Sequence, residues 1–221
     1  MDEVRIIEIK QSVFKANEIK ADDLRKELKQ NGSFLLNVMS SPGAGKTTTL
    51  TELINTLKDK LKIVVLEADI DSDVDARKVS ELTGVEAIQL HTGGMCHLDA
   101  AMTKQGLDEI KTEKPDLIIL ENVGNLVCPA EFDTGAHLCM NILSVPEGDD
   151  KPLKYPLMFE VCDLVVINKI DVMPYFDFDL DKCKNNIKFR NPKAHIIPIC
   201  AKNGDGINEL ADFLFKTVKG E

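Results

Sequence analysis

Residues 40–47 of this chain read Ser-Ser-Pro-Gly-Ala-Gly-Lys-Thr and follow an apolar run, Phe34, Leu35, Leu36, Asn37, Val38 and Met39. A strand that empties into glycines and then a helix is the construction of a phosphate-binding loop. The glycines let the backbone turn tightly. The amides of Gly43, Ala44, Gly45, Lys46, Thr47 and Thr48 can then aim at the oxygens of a β-phosphate as the helix begins. Lys46 would reach the β- and γ-phosphates, and the Thr47 hydroxyl would ligate Mg²⁺. The usual first glycine is replaced by Ser40, while Gly43, Gly45, Lys46 and Thr47 keep their spacing.

This loop needs an α/β fold around it, and the rest of the chain supplies one. Short apolar runs near 63–66, 87–90, 117–120, 138–145, 164–167 and 194–199 alternate with helical spacing over 46–60, 75–82, 98–110 and 207–218. Such alternation predicts right-handed crossovers and a mostly parallel sheet with helices on both faces. We expect one nucleotide-binding G domain over 33–221, preceded by an N-terminal amphipathic helical segment over 1–32. A length of 221 residues requires no second domain. The stretch 146–152 is rich in proline and acid and reads as a loop too polar for the core.

The formal net charge of −10 offers no diffuse basic surface for a nucleic-acid backbone, so nucleic acid is not an expected partner. No apolar run approaches the roughly 18 to 20 residues of a membrane span, and the polar start at Met1-Asp2-Glu3 is unlike a signal peptide. The expectation is a cytoplasmic protein away from membranes. Six cysteines are too sparse here for a disulfide scaffold and read as free thiols, some of them available to metal.

The base follows from Asn168-Lys169-Ile170-Asp171 at the end of an apolar strand, the position of the guanine reader in G domains. A carboxylate at Asp171 can accept from N1–H and the 2-amino group of guanine, whereas adenine presents an acceptor at N1 and lacks that amine. Lys169 would lie along the base, and Asn168 would tie this loop to the phosphate loop. Cys200-Ala201-Lys202 follows a strand as the Ser-Ala-Lys element of G domains does, with the Ala201 amide aimed at guanine O6. GTP is therefore expected over ATP.

Glu121-Asn122-Val123-Gly124 occupies the place of the Asp-x-x-Gly that holds Mg²⁺ and senses a γ-phosphate in G domains. Glu121 would hold the ion and the Gly124 amide would report the phosphate. Asn125 stands where many signalling GTPases carry a catalytic glutamine. Unaided hydrolysis is therefore expected at about 10⁻⁴ to 10⁻² s⁻¹. Asp69 and Asp75, in an acidic stretch over 67–75, are the candidates to position water, and either could help hold Mg²⁺. Asp71 and Asp73 read as solvated residues of the same stretch.

Cys96 and His97 are adjacent after two glycines, and Cys128 lies just beyond the Glu121 element, before Pro129. Two thiolates and an imidazole suit Zn²⁺ or Ni²⁺. Spacing alone leaves this open, because adjacent Cys-His is no standard zinc spacing and a buried, unliganded cysteine is common. Cys139, Cys162 and Cys183 read as structural thiols, and His91, His137 and His195 as structural histidines.

Taken together, the Ser-Ser-Pro-Gly-Ala-Gly-Lys-Thr loop, Glu-Asn-Val-Gly-Asn with Cys128-Pro129 behind it, Val145-Pro146-Glu147-Gly148-Asp149-Asp150-Lys151-Pro152 with Lys154-Tyr155-Pro156, and Asn168-Lys169-Ile170-Asp171 resemble the HypB family. These are GTPases that assist nickel insertion into [NiFe] hydrogenase. The resemblance implies that Cys96, His97 and Cys128 bind Zn²⁺ or Ni²⁺ at a GTP-promoted homodimer interface. It implies a hydrogenase-maturation nickel chaperone and the hydrogenase large subunit as partners. The Cys-x-x-Cys-Gly-Cys motif and the histidine-rich tract of some members are missing, so nickel storage is not expected. The rival expectations are a regulatory G protein with incidental thiols and a chaperone GTPase for a cobalamin-dependent mutase.

Overall fold

The computed structural model describes residues 9–69 and 74–220, so Asp71 and Asp73 lie outside the described residues. Seven strands form one sheet: β1 (Phe34–Ser40), β2 (Ile63–Asp69), β3 (Glu86–His91), β4 (Leu117–Glu121), β5 (Leu138–Ser144), β6 (Leu164–Asn168) and β7 (His195–Pro198). Their order is β3-β2-β4-β1-β5-β6-β7, and every pairing is parallel. A parallel sheet must be covered on both faces, which is why its strands read as unbroken apolar runs.

The helices are α1 (Ile9–Asn31), α2 (Lys46–Leu57), α3 (Val74–Thr83), α4 (Ala100–Asp108), the short α5 (Cys128–Glu131), α6 (Lys151–Lys154), α7 (Pro156–Val161), α8 (Leu180–Arg190) and α9 (Ile207–Lys219). Successive strand residues point to opposite faces. Leu36 and Val38 of β1 accordingly join Leu53, Ile54, Leu57, Leu210 and Leu214 under α2 and α9. Leu35 faces the other way, into a cluster with Leu24 and Leu28 of α1 and Ile118 and Leu120 of β4. Met39, on that same face, packs with Met158, Phe159, Cys183 and Ile187 beneath α7 and α8. The N-terminal helix thus shares a core with the sheet. Strand β4 sits between β1 and β2, which brings Glu121 next to both the phosphate loop and the end of β2.

The stretch 146–152, expected as a loop too polar for the core, runs from a helical turn at Val145–Glu147 into the start of α6; Asp149 and Pro152 are buried in it and its other residues are exposed or half-buried. Its carboxylates are partnered. Glu147 Oε1 accepts from the Ser144 amide at 2.8 Å, and Asp149 meets Lys182 Nζ at 3.0 Å and the Asp179 amide at 3.1 Å. Helix α8 escapes a pattern reading because only Cys183 and Ile187 of its residues are buried, too few to mark a face.

Candidate functional site

The phosphate loop is tied to the loops that follow β6 and β7 by one side chain. Asn168, 2% exposed at the end of β6, donates to the Ala44 carbonyl at 2.9 Å and to Thr49 Oγ1 at 3.4 Å. Its Oδ1 accepts from the amides of Lys169 (2.8 Å) and Ala201 (3.2 Å). Lys169 takes a left-handed backbone, φ 63°, and lays its ammonium on the Gly43 carbonyl at 2.6 Å. Gly45 must be glycine: its φ is 97°, and an added Cβ would sit 2.5 Å from Asn168 Nδ2. Around these contacts opens a cleft of about 210 Å³, walled by Gly45, Thr48, Asn168, Lys169, Asp171, Val172, Cys200, Ala201 and Lys202. Apart from Val172 and the phosphate-loop residues Gly45 and Thr48, these are the residues that the sequence nominated for guanine. Cys200 is buried and contributes backbone to the turn, its amide donating to the Asp205 carbonyl at 2.9 Å.

On the other side of Gly45 a cavity of about 480 Å³ is lined by Gly43, Lys46, Thr47, Glu67, Asp69, Asp75, Glu121 and Gly124, among others. Lys46 Nζ lies 3.8 Å from Glu121 Oε1, and the Thr47 hydroxyl donates to Asp75 Oδ1 at 3.1 Å. Asp69 closes β2 at the cavity wall. The donor set fits Mg²⁺. The buried Oε2 of Glu121 has no hydrogen-bond partner, and the Thr47 hydroxyl and the Asp75 carboxylate stand at the same cavity.

Glu67 is the member that the sequence did not single out. It read as part of an acidic loop, but it lies within β2, 4% exposed, with its Cα in register with Glu121 on β4. Burial and the neighbouring Glu121 carboxylate push its carboxyl up to about 9, which favours its protonated form. Burial also raises Glu121, to about 7, against the opposing pull of Lys46. Two adjacent carboxyls out of water cannot both ionise without a cation between or beside them. The signal available in the sequence was a lone glutamate at the end of an apolar run.

The third feature is built where the segments after β3 and β4 meet across the end of β2. Cys96, His97 and Cys128 offer one donor atom each, and these all lie within 4.8 Å of one another. Cys96 Sγ is 3.9 Å from His97 Nδ1. Cys128 opens α5 with Pro129 behind it. A hydrogen bond with Cys128 and partial burial hold the Cys96 thiol above its ordinary range, and burial lowers His97, which favours the neutral imidazole that a metal requires. Two soft sulfurs and an imidazole fit a thiophilic divalent ion, and three ligands leave a coordination position open. All six cysteines are free thiols. Cys162 and Cys183 are buried, and burial pushes Cys139 and Cys183 up to about 12, which suits structural roles. His137 accepts the Leu35 amide on Nδ1 and stacks on Phe34, and His195 packs on Phe213.

The family profile described as CobW/HypB/UreG, nucleotide-binding domain matches residues 34–198. The hydrogenase maturation factor HypB of Rhizobium leguminosarum bv. viciae is 42% identical over 214 residues, 97% of this chain and 71% of that protein. The probable hydrogenase maturation factor HypB of Methanocaldococcus jannaschii is 38% identical over 216 residues, 98% of this chain and 97% of that one. The crystal structure of HypB from Helicobacter pylori in complex with nickel matches with a TM-score of 0.87 at 40% identity, covering 93% of this chain and 96% of its own. With the profile spanning most of the chain and relatives of this identity aligned over nearly all of it, the chain belongs to the HypB family of hydrogenase maturation factors.

Proposed function

We propose that this chain is a GTP-hydrolysing switch that holds and releases Ni²⁺ during maturation of a [NiFe] hydrogenase. The observation that carries this is that β4 feeds both sites. Glu121 and Gly124 line the nucleotide cavity, and Cys128 follows at once to meet Cys96 and His97. Gly124 packs close to the phosphate loop: an added Cβ would lie 3.3 Å from Pro42 Cγ and 3.6 Å from Lys46 Nζ. A γ-phosphate arriving between Lys46 and Gly124 would displace this segment, and Cys128 with it.

In this reading Asp171 accepts from N1–H and the 2-amino group of guanine, while Asn168 holds the reader loop and the Ala201 amide donates to O6. Thr47, Asp75 and Glu121 would hold Mg²⁺, which supplies charge neutralisation at the phosphate oxygens. Lys46 leaves Glu121 for the β- and γ-phosphates, and Asp69 or Asp75 orients the attacking water. Asn125 already accepts the Val127 amide on its Oδ1 at 2.9 Å, so it is not poised to do so, consistent with slow intrinsic turnover.

Nickel is the cargo, in line with the nickel complex of the Helicobacter pylori relative. Zn²⁺ is the competing ion for the same sulfurs. Val127 and Met95 flank the cysteines and are 52% and 43% exposed, an apolar rim that a second subunit would cover in a GTP-promoted homodimer. A nickel chaperone as donor and the hydrogenase large subunit as recipient, met in the cytoplasm, complete the proposal. The rival readings gain no support from relatives named as hydrogenase maturation factors.

The test is nickel titration with GDP and with a non-hydrolysable GTP analogue, with subunit number read by native mass spectrometry. Affinities should differ between the two states, and Cys96→Ser should abolish the difference. Equal affinities in both states would refute the switch.

A further inference from the structure

We propose that helix α1 is the positioning element of the metal site, with Asn17 and Phe132 as the residues through which it acts. This inference rests on the reading of Cys96, His97 and Cys128 as metal ligands. The two ligand-bearing segments leave separate strands, and their distance is held by contacts that reach both, one of them polar. Asn17, 7% exposed on α1, makes that polar contact. Its Oδ1 accepts from the Ala100 amide at 3.0 Å, three residues after His97, and its Nδ2 donates to the Asp133 carbonyl at 2.8 Å, five residues after Cys128.

The imidazole itself is oriented by a run of rings. His97 stacks on Phe132, centroids 3.8 Å apart and planes at 16°, and Phe132 in turn packs on Phe14 of α1 at 4.9 Å. Metal-bound histidines are usually aimed by a partner beyond the metal, and a stacked face restrains the ring torsion in the same way.

The segment after Cys128 leans on α1 along its length. Arg25 meets both Asp133 carboxylate oxygens, at 2.9 and 2.7 Å, and donates from Nε to the Ala136 carbonyl at 2.9 Å. Gly135, φ 80°, lies so near the helix that an added Cβ would be 2.9 Å from Leu24 Cδ2. The same segment borders a cavity of about 740 Å³, lined also by Phe14, Asn17 and Arg25 of α1 and by Asn37, Met39 and Cys139 of the sheet, so these few contacts carry its attachment to α1. Stacking, the Asn17 bridge and the Arg25 clamp converge on one consequence: loosening α1's hold lets His97 and Cys128 separate.

The experiment compares Ni²⁺ affinity by chelator competition, and the sulfur-to-nickel charge-transfer absorption, in the full chain and in Phe132→Leu, Phe132→Tyr, Asn17→Ala and Cys96→Ser, with melting temperatures alongside. Leucine keeps the apolar bulk of Phe132 without its flat face. Phe132→Leu and Asn17→Ala should each weaken binding by about tenfold or more and shift the absorption band. Phe132→Tyr should restore both to the wild-type range. Affinities for Phe132→Leu and Asn17→Ala within about twofold of wild type, with Cys96→Ser binding lost, would overturn the positioning role. Cys96→Ser binding like wild type would instead locate the failure in the metal-site assignment.

Discussion

Replacing Asn168 by alanine tests the link between the phosphate loop and the base reader. Its side chain is 2% exposed and makes four hydrogen bonds, to the Ala44 carbonyl, Thr49 Oγ1 and the amides of Lys169 and Ala201. Ala44 and Ala201 are 1% and 4% exposed, so water does not readily replace the lost partner there. Each buried group left unpaired costs about 1–3 kcal/mol, and two of them give about 4 kcal/mol. Urea unfolding of the nucleotide-free chain should show a loss of that size with an unchanged m-value. Guanine nucleotide affinity should fall as well, because Ala44, Lys169 and Ala201 lose their common anchor. The same geometry predicts coupling. Gly45→Ala places a Cβ 2.5 Å from Asn168 Nδ2, so it should be far less damaging in the Asn168→Ala background, retaining mainly the left-handed backbone penalty of about 1–2 kcal/mol. A loss under about 1 kcal/mol for Asn168→Ala, or strict additivity of the two changes, would refute the reasoning.

Three further outcomes follow from other parts of the molecule. Glu67 holds its proton in the folded chain up to about 9, against an ordinary 4.5, so folding takes up a proton between those values and stability falls as the pH rises through them. Glu67→Gln cannot ionise, and in EDTA its melting temperature should decline less steeply over that window than the wild type's; parallel curves would contradict the protonated carboxyl. Asp171→Ala should flatten the preference for GTP over ITP, which lacks the 2-amino group, by roughly 10- to 100-fold in measured affinities, while ATP affinity hardly changes. Gly135→Ala, with φ 80° and Leu24 Cδ2 at 2.9 Å, should lower stability by about 1–3 kcal/mol in thermal or urea unfolding, and a neutral effect would mean that α1 yields freely.

What the sequence determined by itself was whatever depends on local backbone and a short run of residues. Gly43 and Gly45 adopt positive φ in a strand-loop-helix turn, and the spacing of Lys46 and Thr47 follows from that turn alone. Asn168, Lys169 and Asp171 stand at the end of an apolar strand, so their loop could be read as a base reader before any contact was known. A mostly parallel sheet was legible as alternation, whereas the strand order and helix α8, with two buried positions, were not. Tertiary structure decided the rest, because it depends on which strands become neighbours. Glu67 meets Glu121 only because β2 pairs with β4 in that register, and one residue of slip would point it to the opposite face. Cys96, His97 and Cys128 had no informative spacing; the resemblance nominated them, and strand order brings their donors within 4.8 Å. Asn17 carries no motif at all. Its importance comes from a bridge to Ala100 and Asp133, more than 80 residues away along the chain, and such a contact exists only once the sheet has set where α1 must lie.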